Sequence, residues 1–153
     1  MLNPGDDAPN VSFAAIDGGT GGIAEHKGRK LVLYFYPKDD TTGCTREAQD
    51  FTALSADFAS AGVDIVGISK DSVKSHAKFI GKYGLKVTLG SDESGEVCEA
   101  FGVWVEKSMY GRNYMGIERA TFLIGGDGKI VRSWRKVKVA GHATEVLEAA
   151  KAL

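Results

Sequence analysis

The chain has 153 residues, with 19 Lys and Arg against 20 Asp and Glu and a formal net charge of −1. That length suits one domain, spanning 1–153, able to bury roughly 68–70% of its unfolded surface without a disulfide or metal staple. The charge balance gives no basic excess to neutralise phosphates and argues against nucleic acid as the main partner. The longest apolar run, Leu31–Tyr36, is far shorter than the roughly 20 residues of a membrane span. Met1 to Asn10 shows no basic stretch followed by an apolar one, so no secretory signal is expected. Two cysteines in such a chain read as reduced thiols in a cytoplasmic protein.

In chain order, residues 17–29 are rich in glycine and read as an irregular loop. Leu31–Tyr36 reads as a buried strand ended by Pro37, which cannot donate to a sheet ladder. Ala48, Phe51, Leu54, Phe58 and Ala61 mark one face of a helix, with Gly62 as its cap. Val63–Ser69 is a second buried strand. Asp71 and Ser72 cap a helix whose apolar face is Val73, Ala77, Ile80 and Tyr83, ending at Gly84. Thr88–Ser91 is a short strand, and a short helix runs from about Ser94 to Phe101. Residues 106–118 lack periodicity and read as irregular surface. Thr121–Ile124 and Lys129–Trp134 form a hairpin across Gly125-Gly126-Asp127-Gly128. A last helix, His142 to Leu153, buries Val146, Ala150 and Leu153. The order predicts one α/β domain with a mixed central β-sheet flanked by helices.

Chemistry concentrates in Tyr36-Pro37-Lys38-Asp39-Asp40-Thr41-Thr42-Gly43-Cys44-Thr45-Arg46-Glu47, between the carboxyl end of a buried strand and the start of a helix. Open α/β sheets bind ligands at such crevices. Thr41 or Thr42 caps the helix and Cys44 falls in its first turn, where unpaired N–H groups and the helix dipole favour a thiolate. That matters because an ordinary cysteine, with pKa about 8.5, is only about 3% thiolate at pH 7, and the thiolate is the nucleophile. Taken alone, Cys44 also reads as a small buried hydrophobe, and Thr41 as a helix cap only.

Pro37-x-x-x-Thr41-x-x-Cys44 resembles the peroxidatic motif of peroxiredoxins. The string YFYPKDDTTGCTREA is similar to the peroxiredoxin Q, or bacterioferritin comigratory, subfamily. Gly67-Ile68-Ser69, Ser91-Asp92-Glu93, Phe101-Gly102-Val103-Trp104 and Arg119-Ala120-Thr121-Phe122-Leu123-Ile124 match it in order along nearly the whole chain. The resemblance implies a thioredoxin-like fold and a thiol-dependent peroxidase acting on hydrogen peroxide and organic hydroperoxides without metal, flavin or haem. It makes Cys44 the nucleophile and Thr41 the acceptor of a hydrogen bond from the peroxide. Arg119 favours the thiolate and the leaving oxygen, and Pro37 shapes the pocket and shields the sulfur. Glu47, one turn beyond Cys44, either positions Arg119 or faces water. In a thioredoxin-like sheet the strand after Arg119 runs antiparallel to Leu31–Tyr36, which brings Arg119 towards Cys44.

The chain departs from the subfamily where a resolving cysteine belongs. Gln49 stands five residues after Cys44, and no cysteine lies around Phe79-Ile80. Cys98 is the other thiol, read either as a buried structural group or as a resolver reached by local unfolding. A single-cysteine cycle is therefore expected, with thioredoxin, a glutaredoxin or a small-molecule thiol as reductant, in a protein that is a monomer or at most a weak dimer. Rival readings are a thioredoxin-like disulfide reductase, against which the missing CxxC counts, and a phospho-accepting signalling module suggested by Asp39 and Asp40. The latter needs acids at several strand ends, yet Ser69 ends the next strand with Asp71 only close by. His26, His76 and His142 have no metal-ligand spacing, so no metal is expected. Gly18–Gly22 reads as a flexible turn, since no Gly-Lys-Ser/Thr completes a phosphate loop.

Overall fold

A computed structural model describes residues 2–153. In chain order its strands are β1 (Ser12–Ala15), β2 (Thr20–Gly22), β3 (Lys30–Phe35), β4 (Val63–Ser69), β5 (Thr88–Ser91), β6 (Trp104–Met109), β7 (Arg112–Ile117), β8 (Ala120–Ile124) and β9 (Ile130–Trp134). All but β6 and β7 join one seven-stranded mixed sheet, in the spatial order β2-β1-β5-β4-β3-β8-β9. β3, β4 and β5 are parallel, as expected of strands joined by crossover helices. β8 runs antiparallel to β3 with Phe35 opposite Ala120, and β9 returns along β8 as the predicted hairpin. This is the thioredoxin-like fold.

Alternation along β3 divides the core. Val32, Tyr34 and Tyr36 point to one face, where they meet α1 (Thr42–Ala53), α2 (Ser55–Ser60), α3 (Val73–Tyr83) and α5 (His142–Lys151). Leu31, Leu33 and Phe35 point to the other, against α4 (Glu96–Ala100) and the segment around Phe101 and Val103. A strand with both faces covered has no polar positions, which is why Leu31–Tyr36 reads as an unbroken apolar run. Tyr34 stacks on Phe51 of α1 with ring centroids 4.8 Å apart. A Cβ at Gly67 of β4 would come within 2.5 Å of the Tyr34 ring, so only glycine leaves that ring its place.

Several expectations are corrected. β3 begins and ends one residue earlier than expected, although the Tyr36 N–H still bonds to the Ile68 carbonyl. The loop at 17–29 contains β2 and a 3-10 turn, Ile23–His26. Glycine obscured a strand that needs only backbone pairing to β1. Residues 106–118 are not irregular, because β6 and β7 form a two-stranded antiparallel hairpin. Its middle is exposed on both faces, with Met109, Tyr110, Tyr114 and Met115 at the surface, so no alternation marks it. The helix expected across Ala48–Ala61 is interrupted at Leu54, where the chain tightens before α2.

Ser72 caps α3 by accepting from the Ser75 N–H, and Gly84 closes it at φ +60°. Its buried stripe, however, is His76 and Phe79, whereas Ala77 is exposed. The face is turned by one residue because a histidine, polar by type, is buried on it. α5 buries His142, Ala143, Val146, Leu147 and Ala150, and Leu153 lies outside it, half exposed.

Candidate active site

The loop from Tyr36 to Thr41 carries the chain from the end of β3 into α1. Thr41 occupies the position before the first helical residue, but its side chain makes no cap. Its hydroxyl instead donates to the Lys38 carbonyl at 2.8 Å, which leaves the oxygen lone pairs able to accept from a bound molecule. Cys44 is the third helical residue and is 2% exposed. It therefore sits among the N–H groups that a helix cannot pair internally, at the positive end of the dipole.

Antiparallel pairing of β3 and β8 sets Arg119, the residue before β8, beside the end of β3. From there Arg119 Nη2 reaches Cys44 Sγ at 3.3 Å and Nη1 donates to Glu47 Oε1 at 2.6 Å. A Cβ at Gly43 would stand 3.2 Å from Nη2, so the glycine leaves the guanidinium its approach. Glu47 is 1% exposed rather than facing water. Burial pushes its carboxyl up to about 7 against the lowering influence of Arg119, and its Oε2 has no partner. Burial alone would weaken the Arg119 charge, but Glu47 and Cys44 outweigh it and hold the guanidinium above its usual range.

Behind the loop lies a polar cluster that sequence reasoning missed. Asp39 is buried; it accepts from Tyr36 Oη at 2.6 Å, Ser75 Oγ at 2.8 Å and His76 Nδ1 at 2.7 Å. Its own N–H donates to Asp71 at 2.8 Å. Desolvation would raise the Asp39 carboxyl, yet the hydrogen bonds from His76 and Tyr36 hold it below the usual range. Potential ligand atoms of Asp39, Asp71 and His76 lie within 4.8 Å of one another. Both Asp39 oxygens and both His76 nitrogens already have partners within the protein. Asp40, next in the loop, adopts φ +57° and is held by Lys82 at 2.8 Å and Tyr83 at 2.5 Å. The signal that could have found the cluster is the spacing of His76, Phe79 and Tyr83, three and four apart on α3.

Pro37 is exposed at the turn that ends β3. Lys107 of β6 comes near enough to respond to both Arg119 and Cys44. Burial first, and the Arg119 charge second, hold its ammonium below the usual range. Cys98 lies apart from all of these. It is fully buried in the core on the opposite face of the sheet from Cys44. Its N–H donates to Asp92 at 2.9 Å, and burial together with Asp92 pushes its thiol far up. His142 hydrogen-bonds with Thr121 Oγ1 at 2.8 Å. Among the described residues no helix is long and apolar enough to cross a membrane.

A buried thiol at a helix start, faced by an arginine on a thioredoxin-like sheet, is the arrangement of a thiol peroxidase. Residues 4–133 match the AhpC/TSA family, and the chain belongs to it. It is 54% identical over 130 residues to Peroxiredoxin Bcp of Xanthomonas campestris pv. campestris, covering 85% of this chain and 81% of that one. It is 44% identical over 147 residues to Peroxiredoxin Bcp of Bacillus subtilis, covering 96% and 94%. Among solved structures, Xanthomonas campestris peroxiredoxin Q superposes with a TM-score of 0.91 at 47% identity, over 99% of this chain and 96% of that one. A further Xanthomonas campestris structure, of its bacterioferritin comigratory protein, concerns alkyl peroxide reduction and a trapped intermediate/ligand complex; it gives 0.91 at 47% identity, over 99% and 97%. The chain is thus a peroxiredoxin, a thiol-dependent peroxidase, and the disulfide-reductase and signalling readings are set aside.

Proposed function

We propose that Cys44 reduces hydrogen peroxide and organic hydroperoxides by a single-cysteine cycle completed by an external thiol. The observation that carries this is the 3.3 Å approach of Arg119 to the Cys44 sulfur, at the first turn of a helix. The thiolate attacks the hydroxyl-bearing oxygen of the hydroperoxide and the O–O bond breaks. Cys44 becomes a sulfenic acid, and the departing oxygen leaves with the electron pair and takes a proton from solvent. Arg119 favours the thiolate beforehand and opposes the charge on the leaving oxygen as it forms. The Thr41 oxygen accepts the hydrogen bond that orients the hydroperoxide. Pro37 forms the rim that keeps the sulfur nearly closed to bulk water.

The sulfenic acid is then reduced by a thiol from outside, thioredoxin, a glutaredoxin or a small-molecule thiol. One thiol condenses with it, releasing water and leaving a mixed disulfide, and a second displaces Cys44 as a thiol. Cys98 supports this by its position, because a disulfide needs Cα atoms within about 7 Å and the two sulfurs belong to core clusters on opposite faces of the sheet. The test is stopped-flow oxidation of the reduced protein by hydrogen peroxide and by an alkyl hydroperoxide. Rapid second-order oxidation lost in Cys44→Ser supports the reading; peroxide consumption that persists in Cys44→Ser overturns it.

A further inference from the structure

His76 sits fully buried in α3, and both its ring nitrogens face oxygen. Nε2 lies 3.0 Å from the Gly90 carbonyl of β5, and Nδ1 lies 2.7 Å from Asp39 Oδ2. A carbonyl only accepts, so Nε2 carries a hydrogen. Asp39 receives Tyr36 Oη on one oxygen and Ser75 Oγ and His76 on the other, the surroundings of an ionised carboxylate. The other groups around the ring are Tyr36 Oη at 3.3 Å from Nδ1 and the carboxylate of Asp71 within the same cluster.

We infer that His76 is a positioning residue that clamps the Tyr36–Thr41 loop to α3 and β5 and so holds Thr41 and Cys44 in attack geometry. This rests on Cys44 being the nucleophile. The clamp is built from one end of the loop to the other: Tyr36 and Asp39 are gripped by Ser75 and His76, the Asp39 N–H by Asp71, and Asp40 by Lys82 and Tyr83. These side chains act on the reaction through the loop's backbone, where a small displacement of Thr41 spoils the alignment of hydroperoxide and thiolate.

Removing the ring tests the clamp. In His76→Leu the Asp39 charge is buried without its partner. Cys44 oxidation by peroxide is expected to slow by about tenfold to a hundredfold in His76→Leu, while alkylation by iodoacetamide, which needs no Thr41 alignment, changes within about threefold. A His76→Leu protein that reacts with peroxide at the wild-type rate, or that slows equally towards both reagents, overturns the inference. If His76→Leu does not fold, Tyr36→Phe, which removes one bond of the clamp, is expected to show the same selective loss at smaller size. Equal rates there overturn the inference. A wild-type protein whose Cys44 is not oxidised by peroxide at all defeats the underlying site reading instead.

Discussion

Arg119 and Cys44 are 75 positions apart in sequence, and the guanidinium nitrogen of one lies 3.3 Å from the sulfur of the other. The sheet makes that contact. Phe35 pairs with Ala120, so the residue before β8 is carried to the loop after β3, and Glu47 fixes the free arm of the fork at 2.6 Å. A planar, permanently charged group held at two points presents a fixed donor to the sulfur and to whatever reacts with it.

Arg119→Met removes that donor. Oxidation of Cys44 by hydrogen peroxide is expected to slow by roughly a hundredfold or more, the scale on which oxyanion-type donors act. Stopped-flow kinetics under excess peroxide measures it. A change of less than about threefold would mean that Arg119 is structural.

Thr41 commits its hydrogen to Lys38 and keeps its lone pairs for a bound molecule. Thr41→Ser is expected to keep most of the activity, and Thr41→Val to lose about tenfold, the worth of one ordinary hydrogen bond. Thr41 is exposed, so thermal unfolding is expected to move little in either variant, and a large drop in melting temperature would point to the loop rather than to the peroxide.

Glu47 links stability to pH. Its carboxyl is raised from 4.5 to about 7 in the folded protein by burial. Below about pH 4.5 it is protonated in both states. Between there and about pH 7 the unfolded chain has released the proton and the folded protein has not, so this group makes stability fall as pH rises. The cost is complete above about pH 7, at roughly 3 kcal/mol. Urea unfolding of wild type and Glu47→Gln from about pH 5 to 8 is expected to show the variant gaining relative stability with rising pH, on top of a constant offset from changing the Arg119 partner. A difference that stays flat across that window contradicts the assignment.

Cys98 is fully buried in the core between α4 and the sheet and donates its N–H to Asp92. Cys98→Ala is expected to cost about 1 kcal/mol of stability and to leave the peroxide rate unchanged. Equilibrium unfolding and stopped-flow oxidation of the same sample measure both.

Much of the frame is readable because buried parallel strands and capped helices leave strong marks. Leu31–Tyr36 is apolar throughout since both its faces are covered, and Ser72 and Gly84 bracket α3. The motif around Cys44 and the place of Arg119 follow from the resemblance together with the antiparallel return of β8. What is not readable depends on partners distant in sequence. Glu47 reads equally as a surface acid until Arg119 is placed against it. His76 looks like a polar interruption of α3, because nothing local shows that Asp39 waits on the facing loop. β6 and β7 escape notice because an exposed hairpin has no buried face to impose a period of two.

The central claim is that Cys44 alone carries the reaction. Intact-mass spectrometry after one equivalent of peroxide, with and without a sulfenic-acid trap, on wild type and Cys98→Ser tests it most directly. The account predicts a trapped adduct on Cys44 in both proteins. Loss of two hydrogens in wild type with no trapping, absent in Cys98→Ser, would make Cys98 the resolver and contradict the single-cysteine cycle. An unmodified Cys44 thiol in both would contradict the assignment of the nucleophile itself.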